Sequence, residues 1–275
     1  MISKVRSVFR RIESQSSWKD AAVLALRNPS KVWNYLRRSG SRRWIVAIFK
    51  QQTIFQKFSD ELSDSRFLDR LATELNKKFS RVDGTTARGN RYIPGAMLSQ
   101  HATALYAILR QLKPAIVVET GVCNGFSSAI ILKALAGNQS GHLYSVDLPE
   151  FTGENRNQFW TGKGGAVVPQ DLASGWLVPR DLRDRWSLQL GKSADILPSL
   201  LCRLDKIDLF VHDSEHSFEN QLSEFRLAFD HLSSGGVIFA TDINWSRAFD
   251  VFAKEVAGRS RRYFVDYSSG LVVRN

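Results

Sequence analysis

Cysteine is scarce in this chain. Cys123 and Cys202 are two in 275 residues, too few for a disulfide framework and without the spacing of a metal site. Thiols used so sparingly read as reduced, which points to the cytoplasm. Long apolar runs are missing as well. The longest, Trp44-Ile45-Val46-Ala47-Ile48-Phe49, falls far short of the roughly 18–20 residues of a membrane-crossing helix. Met1 to Arg11 has no apolar core of a secretory signal, although its Arg-rich, acid-poor composition is shared by transit peptides. Acidic residues are almost absent at the front. Residues 1–50 hold 12 Lys and Arg against Glu13 and Asp20 alone.

That absence segregates the charge. Residues 1–92 carry +12 and residues 93–275 carry −1, within a total of +11. A basic front of this kind is attracted to phosphate, so peripheral contact with an anionic membrane through residues 1–50 is one reading. A solvated or packed helical face is the other. Trp33, Tyr35 and Trp44, set among Arg37, Arg38, Arg42 and Arg43, suit either.

The 43% hydrophobic and 24% charged fractions are those of a packed globular protein. Residues 1–80 show helical spacing, as in Val5, Phe9 and Ile12 and again in Phe67, Leu68, Leu71 and Leu75. A polar stretch from Gly84 to Gly95 marks a junction, dividing a basic helical extension (1–92) from a larger domain (93–275). A helix over 96–111 follows. Strands are then expected at 115–120, 142–147, 186–190, 207–212 and 236–241, alternating with helices at 127–136, 194–204, 219–232 and 246–256. Such alternation indicates an α/β fold with a doubly wound, mostly parallel sheet. The last two strands, 262–267 and 271–274, are joined only by Ser268-Ser269-Gly270, so they must form an antiparallel hairpin and make the last strand antiparallel. Residues 150–184 are a long insertion with Trp160, Gly162, Gly164, Gly165 and Trp176, suited to a lid over an acceptor pocket or to packing on the sheet edge.

The first strand runs into Glu119-Thr120-Gly121-Val122-Cys123-Asn124-Gly125-Phe126-Ser127-Ser128. Glycines at such a strand-to-helix turn let backbone approach a ligand, and the helix start offers free N–H groups. A nicotinamide dinucleotide would need G-x-G-x-x-G, and Cys123 stands at the second glycine. Glu119 is an acceptor for an amino group, directly or through water. Asp147, 26 residues after Gly121 at the end of the second strand, suits two ribose hydroxyls. After the third strand come Gly191, then Ser193 as a helix cap, and Ala194. The fourth strand ends His212-Asp213-Ser214-Glu215-His216, where parallel sheets place their chemistry. His216 is the candidate general base, and Asp213 either orients it or binds a hard cation. The fifth strand ends Thr241-Asp242-Ile243-Asn244, so that Asp213, Asp242 and Asn244 offer an oxygen-rich set suited to magnesium.

The acidic-x-Gly-x-x-x-Gly turn, the ribose acid, the Asp-x-x-His segment and the closing hairpin together resemble the class I S-adenosylmethionine-dependent methyltransferases. The likeness is to their small-molecule O-methyltransferase branch, over roughly residues 92–275. The resemblance implies S-adenosylmethionine held by Glu119, Gly121, Val122, Gly125, Ser127, Asp147, Leu148 and Asp213, with adenine near Gly191, Ser193 and Ala194. It further implies His216, Asp213 and Asp242 acting on a small-molecule, sugar or lipid-linked acceptor. Metal-dependent members carry adjacent ligands at the fifth strand, and this chain departs from them with Thr241 first and Asn244 displaced. The Asn/Asp-Pro-Pro-Tyr motif of nucleic-acid amino methyltransferases is absent, which argues against a nucleic-acid acceptor. Methylation of nitrogen, and a non-catalytic lipid- or nucleic-acid-binding module with a degenerate pocket, remain the competing readings. A homo-oligomer is compatible with all of them.

Overall fold

Val117-Val118 and Leu209-Phe210-Val211 are apolar without alternation, as in strands covered on both faces, and all five are fully buried. The computed structural model, which describes residues 43–79, 97–149 and 168–275, sets them at the centre of a seven-stranded sheet. The strands are β1 (Ile116–Thr120), β2 (His142–Asp147), β3 (Trp186–Leu190), β4 (Ile207–His212), β5 (Leu232–Ala240), β6 (Ser260–Phe264) and β7 (Gly270–Arg274). They lie in the order β3-β2-β1-β4-β5-β7-β6. The first five are parallel, and β7 runs antiparallel between β5 and β6. This is the doubly wound, mostly parallel sheet read from the sequence, including its antiparallel last strand, and it is Rossmann-like.

The helices of the described residues are α1 (Arg43–Phe49), α2 (Gln52–Asp64), α3 (Phe67–Phe79), α4 (Ser99–Leu112), α5 (Phe126–Asn138), α6 (Ser193–Leu204), α7 (Phe218–His231) and α8 (Ala248–Glu255). They separate onto two apolar cores. One is built from α1 to α5 against Val117, Leu143, Leu209, Val211 and Phe239. The other is built from α6, α7 and α8 against Val118, Val146, Phe210 and Ile238. Helix α5 is apolar nearly all round and buried along most of its length, as expected of a helix pressed between sheet and outer helices.

The extension is part of the first core. Leu62, Phe67, Leu71 and Leu75 are buried in it, and Trp44 packs edge-on to Phe49 and Phe55. Trp44 is thus a packed residue. Glu61 of α2 accepts from Tyr106 Oη at 2.7 Å and from Arg110 Nε at 3.0 Å, joining the extension to α4. Val5, Phe9, Ile12, Trp33, Tyr35, the 84–95 junction, Trp160, Gly162, Gly164 and Gly165 lie outside the described residues.

Two strands differ from expectation by more than one residue at an end. β5 begins at Leu232 directly after α7, and a register shift between Ile207 and Leu209 accommodates the extra residues. Gly235 there has φ +78°, a conformation glycine adopts without strain. β6 ends at Phe264 because Asp266 Oδ1 accepts the N–H groups of Ser268 and Ser269 at 2.9 and 2.8 Å, bending 266–269 into a turn. No helix of the described residues is long and apolar enough to cross a membrane.

Candidate active site

The turn after β1 is shaped by close backbone contact. Gly121 has φ +86°, and a Cβ there would collide with the carbonyl of Asp213 at the end of β4. Its N–H donates to Val146 O, while Asp213 N–H donates to Thr120 O at 2.9 Å. Gly125, φ +89°, precedes α5, and a Cβ there would meet Gly175 and Val178. The tips of β1, β2 and β4 and the start of α5 are thereby drawn together.

Glu119 sits beneath this turn, fully buried. Its Oε1 accepts from Ser127 Oγ at 2.6 Å, and Oε2 accepts from Ser128 Oγ at 2.6 Å and Ser145 Oγ at 2.8 Å. Burial raises its pKa from 4.5 to about 7, against the pull of the three hydroxyls. Both of its carboxyl oxygens are thus engaged within the protein. Glu119 ties β1, β2 and α5 together, and the Ser127 hydroxyl donates to it. A buried carboxyl needs such partners.

Asp147 is 6% exposed. Its Oδ1 accepts the Val122 N–H at 2.9 Å, and its Oδ2 accepts the Ser174 hydroxyl. Burial raises its pKa, opposed by Ser174, Val122 and Cys123. Beside it Leu148 and Leu190 are 56% and 61% exposed at the ends of β2 and β3, where Leu190 pairs with Asp147. A carboxylate flanked by two uncovered leucines fits a nucleoside, with the diol on the acid and the base on apolar surface. Gly191 (φ +150°) follows, its N–H on Asp147 O at 2.8 Å. Ser193 is the first residue of α6 and not its cap; Lys192 holds that position without a side-chain cap bond. Ser193 Oγ lies 3.4 Å from Asn220 Oδ1, and Ala194 is exposed.

The insertion contributes what the sequence did not disclose. Besides Ser174, Gly175 N–H donates to Cys123 O at 2.8 Å and Leu177 N–H to Asn124 O at 3.0 Å. Trp176 Nε1 donates to Asn124 Oδ1 at 2.6 Å. Residues 174–177 brace the glycine turn; 150–167 lie outside the described residues.

At the ends of β4 and β5, Asp213, His216 and Asp242 bring ligand atoms within 4.8 Å of one another. His216 Nε2 is 3.6 Å from Asp242 Oδ2 and 3.9 Å from Asp213 Oδ1. Asp213 also accepts the Thr241 hydroxyl. Burial and the neighbouring Asp242 push its carboxyl well above the ordinary value. Burial raises Asp242 too, while His101 and His212 draw it down. His216 is pushed well below its ordinary value by burial and by His212, so it is neutral at pH 7. Asn244 is exposed in the turn after Asp242; the third group beside the two carboxylates is His216. The two carboxylate oxygens suit a hard cation such as magnesium, which favours oxygen.

Behind the cluster lie groups that motif spacing did not reveal. Glu224 of α7, buried, accepts from Thr120 Oγ1 at 2.5 Å, Ser214 Oγ at 2.9 Å and Asn220 Nδ2 at 3.0 Å, and pairs with His212 Nδ1 at 2.8 Å. The opposite His212 nitrogen, Nε2, is buried and has no hydrogen-bond partner among the described residues. His101 of α4 is 3% exposed and bonds through Nε2 to Asp266 Oδ2 at 2.8 Å, beside Asp242.

A family model described as a methyltransferase domain matches residues 118–243. No curated protein sequence matches the chain. Among solved structures, an O-methyltransferase from Bacillus cereus in complex with SAH is 14% identical with a TM-score of 0.52, over 76% of this chain and 90% of that one. The cofactor-bound protein Rv0187 from MTB is 15% identical with a TM-score of 0.51, over 78% of this chain and 94% of that one. At such identities the structural likeness establishes the fold. The family match falls on the segment that carries the glycine turn, Asp147 and Asp213, so residues 118–243 are similar to a methyltransferase domain, set on a Rossmann-like fold.

Proposed function

We propose that this enzyme methylates a hydroxyl of a small-molecule acceptor at the Asp213, His216 and Asp242 cluster. The carrying observation is the convergence of these three side chains at the ends of β4 and β5, with Asp213 also supporting the turn of Gly121. The Bacillus cereus protein, described as an O-methyltransferase, is consistent with this acceptor. S-adenosylmethionine supplies an electrophilic methyl group, and the acceptor oxygen must give up one proton as its bond to carbon forms. Asp147, Leu148 and Leu190 would hold the nucleoside, with Gly121, Val122, Gly125, Gly191, Ser193 and Ala194 forming the surrounding backbone. The cluster orients the acceptor oxygen and receives its proton, in a setting where exclusion of water and in-line placement provide much of the rate.

Asp213 and Asp242 are also proposed to hold magnesium, with Asn244 within the same turn as Asp242. We further propose that 93–275 is the catalytic domain and 1–92 an extension, whose first 50 residues touch anionic membrane peripherally. Turnover of a phenol and catechol panel, with labelled S-adenosylmethionine, tests the reaction. Label in an ether-linked product supports it, and label found only on amines overturns it. Loss of turnover in chelator, restored by magnesium, supports the metal; unchanged turnover rejects it.

A further inference from the structure

Gln221 of α7 is fully buried, and it lies between Ser246 and His216. Its Oε1 is 2.6 Å from Ser246 Oγ, and its Nε2 is 3.3 Å from His216 Nδ1. Ser246 Oγ already accepts the Ala248 N–H at 3.1 Å, so its own proton is available to Gln221. A separation of 2.6 Å falls within the O–H···O range of about 2.5–3.0 Å and below the N–H···O range of about 2.7–3.2 Å. The amide oxygen therefore faces Ser246, and the amide NH2 faces His216. An NH2 group only donates, so His216 Nδ1 must offer its lone pair, and the neutral ring carries its proton on Nε2. Nε2 is the atom turned toward Asp242 and Asp213.

We propose that Gln221, backed by Ser246, is a positioning residue that keeps His216 in the Nε2–H form, so that His216 meets the acceptor oxygen as a hydrogen-bond donor. This rests on the acceptor site proposed above and revises the expectation that His216 takes the proton. Nε2 has no lone pair to offer in that form. Proton acceptance beside the oxygen falls to the two carboxylates, and a cation held by them would not be ligated by Nε2. The neighbouring His212 serves as an internal contrast. It directs Nδ1, the opposite nitrogen, to the Glu224 carboxylate at 2.8 Å, and a carboxylate only accepts, so there Nδ1 is the donor.

The test is long-range 15N–1H correlation of histidine rings in the labelled full chain near pH 7.5. The chain has five histidines, and a His216→Asn sample identifies the His216 pattern by its disappearance. The expected result is a protonated Nε2 and an unprotonated Nδ1 for His216. A protonated Nδ1 in the wild-type chain overturns the proposal, whatever any variant does. Gln221→Glu, which presents an acceptor to Nδ1, should reverse the pattern while the other histidine signals stay in place. Retention of Nε2–H in a variant with those signals intact also counts against it. The readout needs no turnover, so absence of methylated product overturns the acceptor reading and leaves the tautomer result standing.

Discussion

His216 is 3% exposed and neutral, with its ring fixed between Gln221, Trp245 and the two carboxylates. Removing it takes away a group at the reacting oxygen and nothing from the Asp147 side. His216→Ala, which removes a hydrogen-bond donor at the reacting oxygen, should lower kcat by about 10²–10³-fold, with the affinity for S-adenosylhomocysteine changed less than about threefold. Steady-state turnover beside a binding titration separates the two effects. Glu119 carries a different expectation. Its folded pKa of about 7 exceeds the ordinary 4.5, so the proton it holds stabilises the fold fully below pH 4.5. That stabilisation is lost as pH rises through about 7. Between pH 6 and pH 8 the loss is about 1 kcal/mol by linkage. Urea denaturation at both pH values should show this slope in the wild-type chain and its absence in Glu119→Gln, where the side chain no longer titrates. Equal slopes would remove Glu119 as the source.

At the scale of elements, the site depends on strand ends meeting without side chains between them. Gly121→Val would place a branched side chain on the Asp213 backbone at a φ of +86°. The β1 turn and the β4 end would have to part, at a cost on the order of 3 kcal/mol or more. A denaturation midpoint near that of the wild-type chain would show that the contact is not tight. Such strand-end features were legible beforehand because they are local. The glycine turn, Asp147 and the Asp213 to His216 run each lie within a few residues of a strand end. The bounds of β2, β3 and β4 were legible for the same reason. What was illegible is long-range. His101 and Asp266 are 165 residues apart, and Ser174 reaches Asp147 from the body of an insertion. Glu224 and Gln221 look like ordinary polar residues of an amphipathic helix until the fold turns that face toward His212 and His216. Glu119 was seen, but its three serine donors lie on two different elements, so its part in holding the turn was not.

For the molecule as a whole, charge drew a boundary that packing does not. The basic surplus ends near residue 92, yet α1 to α3 share one apolar core with α4 and α5. Glu61 is the polar link, engaged with Tyr106 and with two nitrogens of Arg110. Glu61→Ala leaves the partly buried Arg110 and the Tyr106 hydroxyl with fewer partners, and should destabilise the chain by about 1–3 kcal/mol. Thermal unfolding should show one transition shifted downward. Two separated transitions would mean that the extension unfolds independently of the sheet.

The central claim, that the turn after β1 and Asp147 together hold a nucleoside cofactor, is tested most directly by calorimetric titration of the full chain with S-adenosylhomocysteine. The same titration on Asp147→Ala is the control. The account predicts saturable one-site binding to the wild-type chain and a loss of at least about tenfold in affinity for the variant, the worth of roughly 1.4 kcal/mol. Undiminished binding by Asp147→Ala, or no binding by a folded wild-type chain, would contradict it.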